Sequence, residues 1–355
     1  MGEDEAVMRV SKQEQYQRLV EYAVGYHAAW FVDLGLKAGL FHAIASHGPG
    51  IGEDELARTL NVEARYVGVW CRGAYAFGLL DFDEVTGYRL APHMESLLLD
   101  PTDPHLCGGR IQFATALYED YLAFPDHLRT GEVWPRSEHD PFLLEALQRA
   151  TEPDGVMITE QVLPQSSTTL ERLEAGGVIL DIGAGAGQHV LHYARRFPRS
   201  LVVGLEPDQS SIELAREALA QAGLADRVEL RCEDANELAA VEAFDLITLN
   251  LTLHETGDGN DFHNVLVRSY RALKPGGTVV VSELPYPDSP EEYRHNPVYK
   301  LFAGVQLHEA LVGCGMITQG QLRELLEGAG FDEIRVAEQS MPTRFVMLAG
   351  KATSL

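Results

Sequence analysis

Hydrophobic and polar positions follow different patterns in the two parts of the chain. Across residues 12–47, apolar residues recur at helical spacing and give a wide apolar face, which predicts helical structure packed against more than one neighbour. From residue 178 onward, short apolar runs end in polar residues or glycine and are followed by helical stretches, a pattern typical of buried strands joined by helices. The sequence therefore predicts a mainly helical first part and an α/β second part.

Residues 50–91 predict a helix, a turn at Asn61, a second helix over 63–77 and a short β-hairpin over 79–91. This order of elements predicts a winged helix, a fold that often binds DNA. The second helix, however, carries only Arg65 and Arg72 as basic residues, and the hairpin tip is acidic. Such a surface would repel phosphate, so we expect no nucleic-acid partner.

Residues 92–170 connect the two parts through short helical segments, such as 111–124, that are separated by Asp-Pro and Trp-Pro breaks. The aromatic residues here form either ordinary core or a lid over an apolar substrate pocket. We expect two domains, with residues 1–165 forming the helical domain with its connecting helices and residues 166–355 forming the α/β domain.

The second domain is organised around residues 178–188, an apolar run that ends in a glycine-rich turn. Gly183, Gly185 and Gly187 allow the backbone to take positive φ and to approach a ligand closely. A dinucleotide fingerprint needs a further small residue where Gln188 stands, so an NAD site is disfavoured. The next apolar run ends in Glu206, about 20 residues on, as expected for a ribose-binding acid.

Five motifs then carry a family resemblance: Leu180-Asp-Ile-Gly-Ala-Gly-Ala-Gly187, Glu206, Glu233-Asp-Ala235, Phe244-Asp-Leu-Ile-Thr248 and Leu273-Lys-Pro-Gly-Gly277. In this order they resemble the class I S-adenosylmethionine-dependent methyltransferases over roughly residues 175–350. The resemblance implies a Rossmann-like, seven-stranded sheet with one antiparallel strand. It also implies that the glycine turn holds the methionine end of S-adenosylmethionine, Glu206 the ribose hydroxyls and Asp234 the adenine amine. Further cofactor contacts are implied at Asp181, Pro207, Ala235 and Asn250.

The first part is similar to the N-terminal winged-helix domain of small-molecule O-methyltransferases, which serves dimerisation and covers the substrate. Residues 34–41, 66–70 and 296–302 are similar to a bacterial winged-helix subgroup of these enzymes. This resemblance implies a homodimer that acts on a small organic molecule.

The catalytic candidates are His254 and Glu255, which follow the fourth predicted strand. A histidine suits proton removal near neutral pH, because its unperturbed pKa is about 6.5. The O-methyltransferase family has its general base in this segment, followed by an acid, although the aromatic residue that commonly comes next is Thr256 here. The alternative is a structural histidine that caps the helix starting near Asp258 or Asp261.

The methyl acceptor is expected to be a hydroxyl or an acidic carbon that His254 deprotonates, and different chemistry on the same cofactor fold, such as hydroxylation, is an alternative. Two other functions also stay open. One is a metal-assisted 2-keto-acid C-methyltransferase, in which His254, Glu255 and His308 would hold the ion, since two histidines and a carboxylate form a known metal-binding set. The other is a regulatory protein that binds the cofactor without turnover. Our primary prediction includes no metal.

Composition limits the compartment and the partners. The formal net charge of −25 over 355 residues disfavours anionic membranes and nucleic acids. The four cysteines are scattered, no apolar run approaches the ~20 residues of a membrane span, and the first residues do not read as a signal peptide. We therefore expect a cytoplasmic protein.

Overall fold

The structure is a computed structural model that describes residues 10–135, 138–139, 141–257 and 259–353. The chain forms two compact units, one of Met1–Asp100 with Leu106–Ala116 and one of Pro101–His105 with Leu117–Leu355. The predicted domain boundary between residues 165 and 166 stays a prediction.

The first unit is mainly helical and contains one hairpin. Its elements are α1 (Lys12–Lys37), α2 (Leu40–Ala45), α3 (Glu53–Leu60), α4 (Ala64–Ala76), β1 (Leu80–Asp83), β2 (Gly87–Leu90), α5 (Met94–Leu99) and α6 (Gly108–Ala116). The helical stretch expected over 12–47 is divided at Gly39, whose φ of +69° ends the helical path. A ring contact between Phe41 and Trp70, with centroids 5.2 Å apart, joins α2 to α4 in the core of this unit.

The elements expected between residues 50 and 91 occur in the predicted order. Asn61 ends α3 in the left-handed conformation, with φ of +54°, and β1 pairs with β2 in antiparallel register. The Asp83 carboxylate closes the hairpin turn by accepting hydrogen bonds from the Val85 and Thr86 amides. The winged-helix assignment itself stays a prediction.

The second unit contains a sheet with helices on both faces. Its helices are α7 (Tyr118–Thr130), α8 (Pro141–Met157), α9 (Ser167–Ala175), α10 (Gln188–Arg196), α11 (Gln209–Gln221), α12 (Gly259–Ala272), α13 (Glu292–His295), α14 (Pro297–Val312) and α15 (Gln319–Gly328). A π-helical turn over Ile158–Val162 follows α8, and 3₁₀ turns occupy Leu163–Gln165, Ala225–Arg227, Ala235–Glu237 and Leu253–Glu255. The helix expected over 111–124 is two helices, because α6 ends at Ala116 and α7 begins at Tyr118.

The sheet of this unit has seven strands in the order β5-β4-β3-β6-β7-β9-β8. The strands are β3 (Val178–Ile182), β4 (Leu201–Glu206), β5 (Val228–Cys232), β6 (Phe244–Asn250), β7 (Leu273–Glu283), β8 (Asp332–Val336) and β9 (Phe345–Gly350). Only β9 runs antiparallel to its neighbours in this described sheet. This topology confirms the predicted α/β, Rossmann-like, seven-stranded fold.

Successive residues of the central strands bury side chains on opposite faces of the sheet, as strand geometry requires. In β7, Val279 and Val281 belong to one apolar cluster, whereas Val280 belongs to the other. Because both faces are covered, these strands are apolar almost throughout rather than alternating with polar residues.

Within the described part of the chain, no helix combines the length and the hydropathy that a membrane span needs.

Strands β3 and β6 lie side by side, although β4 and β5 come between them in the sequence. Strand order therefore reverses at β3, and open α/β sheets bind their ligands at such a reversal, beyond the carboxyl ends of the strands. The glycine-rich turn and the segment that contains His254 both leave the sheet at this edge.

Candidate active site

The glycine-rich turn after β3 combines close packing with open space. A Cβ on Gly183 would come within 2.2 Å of Thr252 Oγ1, and one on Gly187 within 2.8 Å of Ala215 Cβ. Both glycines have positive φ, +77° and +87°. Gly185, in contrast, has no heavy atom within 4 Å of its Cβ position. The turn thus has room beside Gly185, next to the amino-terminal end of α10, where the backbone favours polar or anionic groups.

Glu206, at the end of β4, lies against this turn. Its carboxylate accepts hydrogen bonds from the Gly185 amide at 2.9 Å and from the Asp208 amide at 3.0 Å. Partial burial raises the pKa of Glu206, and the two amide bonds oppose that change. Pro207 is exposed, as is Asp234, whose carboxylate accepts from the Asn236 amide at 2.7 Å, while Ala235 is buried.

Asp181 provides a buried carboxylate below the turn. Its Oδ1 accepts a hydrogen bond from the Thr248 hydroxyl at 2.6 Å. Its Oδ2 is also buried but has no hydrogen-bond partner among the described residues. Burial raises the pKa of Asp181 to about 6. A buried acceptor of this kind fits a ligand that brings a donor, such as the ammonium group of a methionine moiety.

Asn250, at the end of β6, belongs to a buried polar group with Asp154 and Arg344. Its Nδ2 donates to Asp154 Oδ2 at 3.0 Å, and Arg344 Nε donates to the same oxygen at 2.9 Å. Arg344 is buried, with only 5% of the residue exposed. The reason is the Asp154 carboxylate, which is fully buried and is neutralised by the guanidinium.

His254 lies in the 3₁₀ turn after β6 and is 4% exposed. Its Nδ1 is 2.6 Å from Glu283 Oε2, and its own amide donates to Glu283 Oε1 at 3.3 Å. Its Nε2 lies 3.7 Å from Glu255 Oε1 and 3.8 Å from Glu309 Oε2. The imidazole is therefore held through Nδ1 and surrounded by three carboxylates.

These carboxylates determine the proton affinity of His254. Burial alone would lower its pKa, but the charge and hydrogen bond of Glu283, followed by the charges of Glu309 and Glu255, raise the pKa to about 9. An imidazole in this setting binds a proton strongly and is stabilised when charged. Such a group can accept a proton from a weakly acidic hydroxyl.

Several predicted residues are brought together at the sheet edge. The loop after β6 contacts the glycine turn where Thr252 packs on Gly183. It also contacts the loop after β5, because the Asn236 side chain donates to the Thr256 carbonyl at 3.2 Å. His189 is buried, with Nε2 3.2 Å from the Thr151 carbonyl, and His263 is exposed on α12.

His308 is directed to a different set of residues. Its Nδ1 is 2.5 Å from Asp120 Oδ2 on α7. Within the described residues, the group whose side chains could share one metal ion is Asp120, His139 and His308, and it includes neither His254 nor Glu255.

Sequence reasoning missed the role of Glu283. The acid next to His254 in sequence was taken as its catalytic partner, yet Glu283, 29 positions later, makes the contact at Nδ1. A usable signal was present, because Glu283 ends β7, which neighbours β6 in the sheet, and the carboxyl ends of adjacent parallel strands meet at one edge.

Comparisons with known proteins agree with this fold. Residues 179–277 match the family model described as a methyltransferase domain. The chain is 24% identical over 348 residues to the 3-hydroxy-5-methyl-1-naphthoate 3-O-methyltransferase of Streptomyces sahachiroi, with 94% of each chain covered. It is 30% identical over 125 residues to the malonyl-[acyl-carrier protein] O-methyltransferase of Priestia megaterium, covering 35% of this chain and only 42% of that relative's length.

Among solved structures, human N-acetylserotonin methyltransferase in complex with S-adenosylmethionine is similar over 99% of this chain and 100% of that chain. The TM-score is 0.70 and the identity 18%, so this similarity concerns the fold. The fold, the glycine-rich turn after β3 and the match to the methyltransferase-domain model together identify a class I methyltransferase, as the sequence motifs predicted. The protein is an S-adenosylmethionine-dependent enzyme.

Proposed function

We propose that this enzyme transfers a methyl group to a hydroxyl of a small organic molecule and that His254 removes the hydroxyl proton. The observation that carries the proposal is the buried pair of His254 and Glu283 in the loop that packs on the glycine turn. When bound, S-adenosylmethionine supplies an electrophilic methyl group on a sulfonium. The chain must then position the acceptor, exclude water and remove one proton.

Glu283 determines which nitrogen of His254 acts. With Nδ1–H donating to the carboxylate, the neutral imidazole has its lone pair on Nε2. The charges of Glu255 and Glu309, each within 4 Å of Nε2, stabilise the imidazolium that forms when Nε2 takes the proton. A pKa of about 9 implies that the neutral, active form increases with pH across the neutral range.

We propose that the residues predicted from the sequence contact the cofactor, and three of them have geometry that favours this role. Asp181 offers an unpaired buried oxygen, Gly185 adjoins open space, and Glu206 presents a partly exposed carboxylate at the same turn. We assign the remaining contacts on the basis of the family resemblance, at Gly183, Gly187, Pro207, Asp234, Ala235 and Asn250.

The acceptor class rests on a relative that is covered over nearly its whole length. The name of the Streptomyces sahachiroi enzyme describes methylation of a hydroxyl group on a naphthoate, and that enzyme matches this chain over nearly its whole length. Two buried hydroxyls near the Glu283 region, those of Ser282 and Tyr286, make no hydrogen bonds within the described residues. We therefore propose a hydroxylated aromatic molecule as the acceptor.

We also propose a homodimer that forms through α1. This helix leaves several large apolar or aromatic residues exposed in the described chain, namely Tyr16, Leu19, Tyr22 and Tyr26, each 59–65% exposed. Contiguous apolar surface of this kind marks interaction sites. Sedimentation should give a dimer for the wild type and a monomer for Tyr22→Glu, and a wild-type monomer would contradict the proposal.

Our proposal does not include a nucleic-acid partner. Two arginines of the predicted winged helix are neutralised within the chain, since Arg72 pairs with Glu53 and Arg89 with Asp81. A cytoplasmic location remains part of the proposal and rests on the scattered cysteines of the sequence.

The base role is tested by His254→Gln, with His263→Gln on the exposed face of α12 as the matched control. We expect His254→Gln to lower turnover by ~100-fold or more, while calorimetry gives cofactor affinity within about threefold of wild type. The control should retain both properties. Undiminished turnover in His254→Gln would remove His254 from the mechanism.

A further inference from the structure

Three side chains of the types that commonly bind metals meet in the interior of the second unit, and none of them is assigned to methyl transfer. Asp120 lies on α7, His139 in the short segment 138–139, and His308 on α14. Their side chains are 0%, 1% and 1% exposed. One potential ligand atom from each lies within 4.8 Å of the other two. Charged or polar groups are rarely buried so completely without partners that satisfy them.

One contact within this cluster differs in its geometry from a simple hydrogen-bonded network. His308 Nδ1 is 2.5 Å from Asp120 Oδ2, which is a hydrogen-bonding distance. His139 Nε2 lies 3.1 Å from Asp120 Oδ1, yet neither atom makes a hydrogen bond with any described residue, although both are buried. Two polar atoms thus face each other at short range without the geometry of a hydrogen bond.

A shared cation accounts for this arrangement. Two ligand atoms that are each ~2.1 Å from one ion, at ~90–109° to each other, lie ~3.0–3.4 Å apart. The separation of 3.1 Å between His139 and Asp120 falls within this range. Two imidazoles and one carboxylate are ligands typical of zinc and of other divalent transition metals.

We propose that Asp120, His139 and His308 bind one divalent transition-metal ion, of which Zn²⁺ is the representative. This set shares only His308 with the alternative of His254, Glu255 and His308 that the sequence suggested. The two sets are therefore distinguished by whether His139 or His254 is required.

The position of the cluster points to a structural role. The ion joins α7, the segment containing His139 and α14, which are separate in the sequence, and the Trp134 ring stacks on His139 with centroids 4.2 Å apart. His308 is followed directly by Glu309, whose carboxylate is 3.8 Å from His254 Nε2. Metal binding therefore fixes the part of α14 that supplies one of the three carboxylates around His254.

The test uses the full chain, stripped of metal with a chelator and titrated with Zn²⁺ against a chromogenic competitor. We expect one equivalent per chain for the wild type and ~100-fold or more weaker binding for His139→Phe, which keeps a ring against Trp134. His127→Phe is the matched control, because His127 also stacks on Trp134 but lies outside the cluster. The control and His254→Gln should both bind with wild-type affinity.

A thermal measurement separates metal binding from loss of folding. Zn²⁺ should raise the Tm of the wild type and of His127→Phe but not that of Asp120→Asn, a variant of nearly the same shape. The proposal is overturned if the wild type binds no Zn²⁺ at micromolar concentration, or if His139→Phe and Asp120→Asn bind as well as wild type. Loss of binding in His254→Gln, with binding retained in His139→Phe, would assign the ion to the alternative set.

Discussion

Replacing Glu283 with glutamine tests the electrostatic basis of the proposed site. The glutamine keeps an oxygen that can accept from Nδ1 of His254 but removes the negative charge. In the native protein the pKa of His254 is raised from 6.5 to about 9, with Glu283 as the largest cause that raises it and burial opposing. A rise of this size corresponds to roughly 3 kcal/mol at about 1.4 kcal/mol per pKa unit. Without the Glu283 charge, the pKa of His254 should fall, because burial lowers it and only the smaller influences of Glu309 and Glu255 remain to raise it.

The consequence for stability has a definite sign. Because the folded-state pKa is raised, the stabilisation is complete below pH 6.5 and is lost as the pH rises through about 9. The difference in unfolding free energy between the wild type and Glu283→Gln should therefore shrink by up to roughly 3 kcal/mol between these pH values. Urea unfolding at pH 6.5 and pH 9 measures this difference without an acceptor substrate.

The pKa itself is accessible by NMR of protein with ¹³C-labelled histidine, with the His254 signal assigned by its loss in His254→Gln. We expect titration near pH 9 in the wild type and at least two units lower in Glu283→Gln. Glu255→Gln is the control, because Glu255 is the weakest of the three carboxylate influences and should change the pKa much less. If His254 titrates at the same pH in the wild type and Glu283→Gln, the reasoning is refuted.

Two further predictions concern the framework of the site. Gly183→Ala should cost ~3 kcal/mol or more in unfolding free energy, because the new Cβ would lie 2.2 Å from Thr252 at a position with positive φ. The control is Gly223→Ala, which has a similar φ but open space around its Cβ position and should cost only ~1–2 kcal/mol. Equal costs would contradict the packing argument. Arg344→Leu should lower the unfolding free energy by ~3–5 kcal/mol, because it removes the guanidinium that neutralises the buried Asp154. In urea unfolding, the double variant Arg344→Leu with Asp154→Asn should recover part of this loss. A cost below ~1 kcal/mol would show that the pair has little structural importance.

The sheet was predictable because its signals are local. Each central strand is a continuous apolar run that ends in a polar residue or glycine, and the order of the motifs indicated how the strands pair. The breaks at Gly39 and Leu117 were missed, because apolar residues at helical spacing continue across both positions. Hydrophobic periodicity indicates that helices are present but determines their ends poorly.

The interior of the site was less predictable, because its partners are distant in the sequence. Glu283 contacts His254 across two neighbouring strands, and Asp154 neutralises Arg344 from 190 positions away. Asp120, 188 positions before His308, comes from a segment that the sequence indicated only as connecting helices. Residue type and local spacing carry no information about such contacts until the topology is known.

The central claim is that the methyl group goes to an oxygen atom. The most direct measurement incubates the enzyme with ¹³C-methyl-labelled S-adenosylmethionine and a panel of hydroxylated aromatic molecules, then records the ¹³C NMR spectrum of the product. We predict a methoxy signal from at least one acceptor, formed ~100-fold or more slowly by His254→Gln. A label found only in carbon-bound methyl groups, or no transfer to any hydroxylated acceptor, would contradict the account.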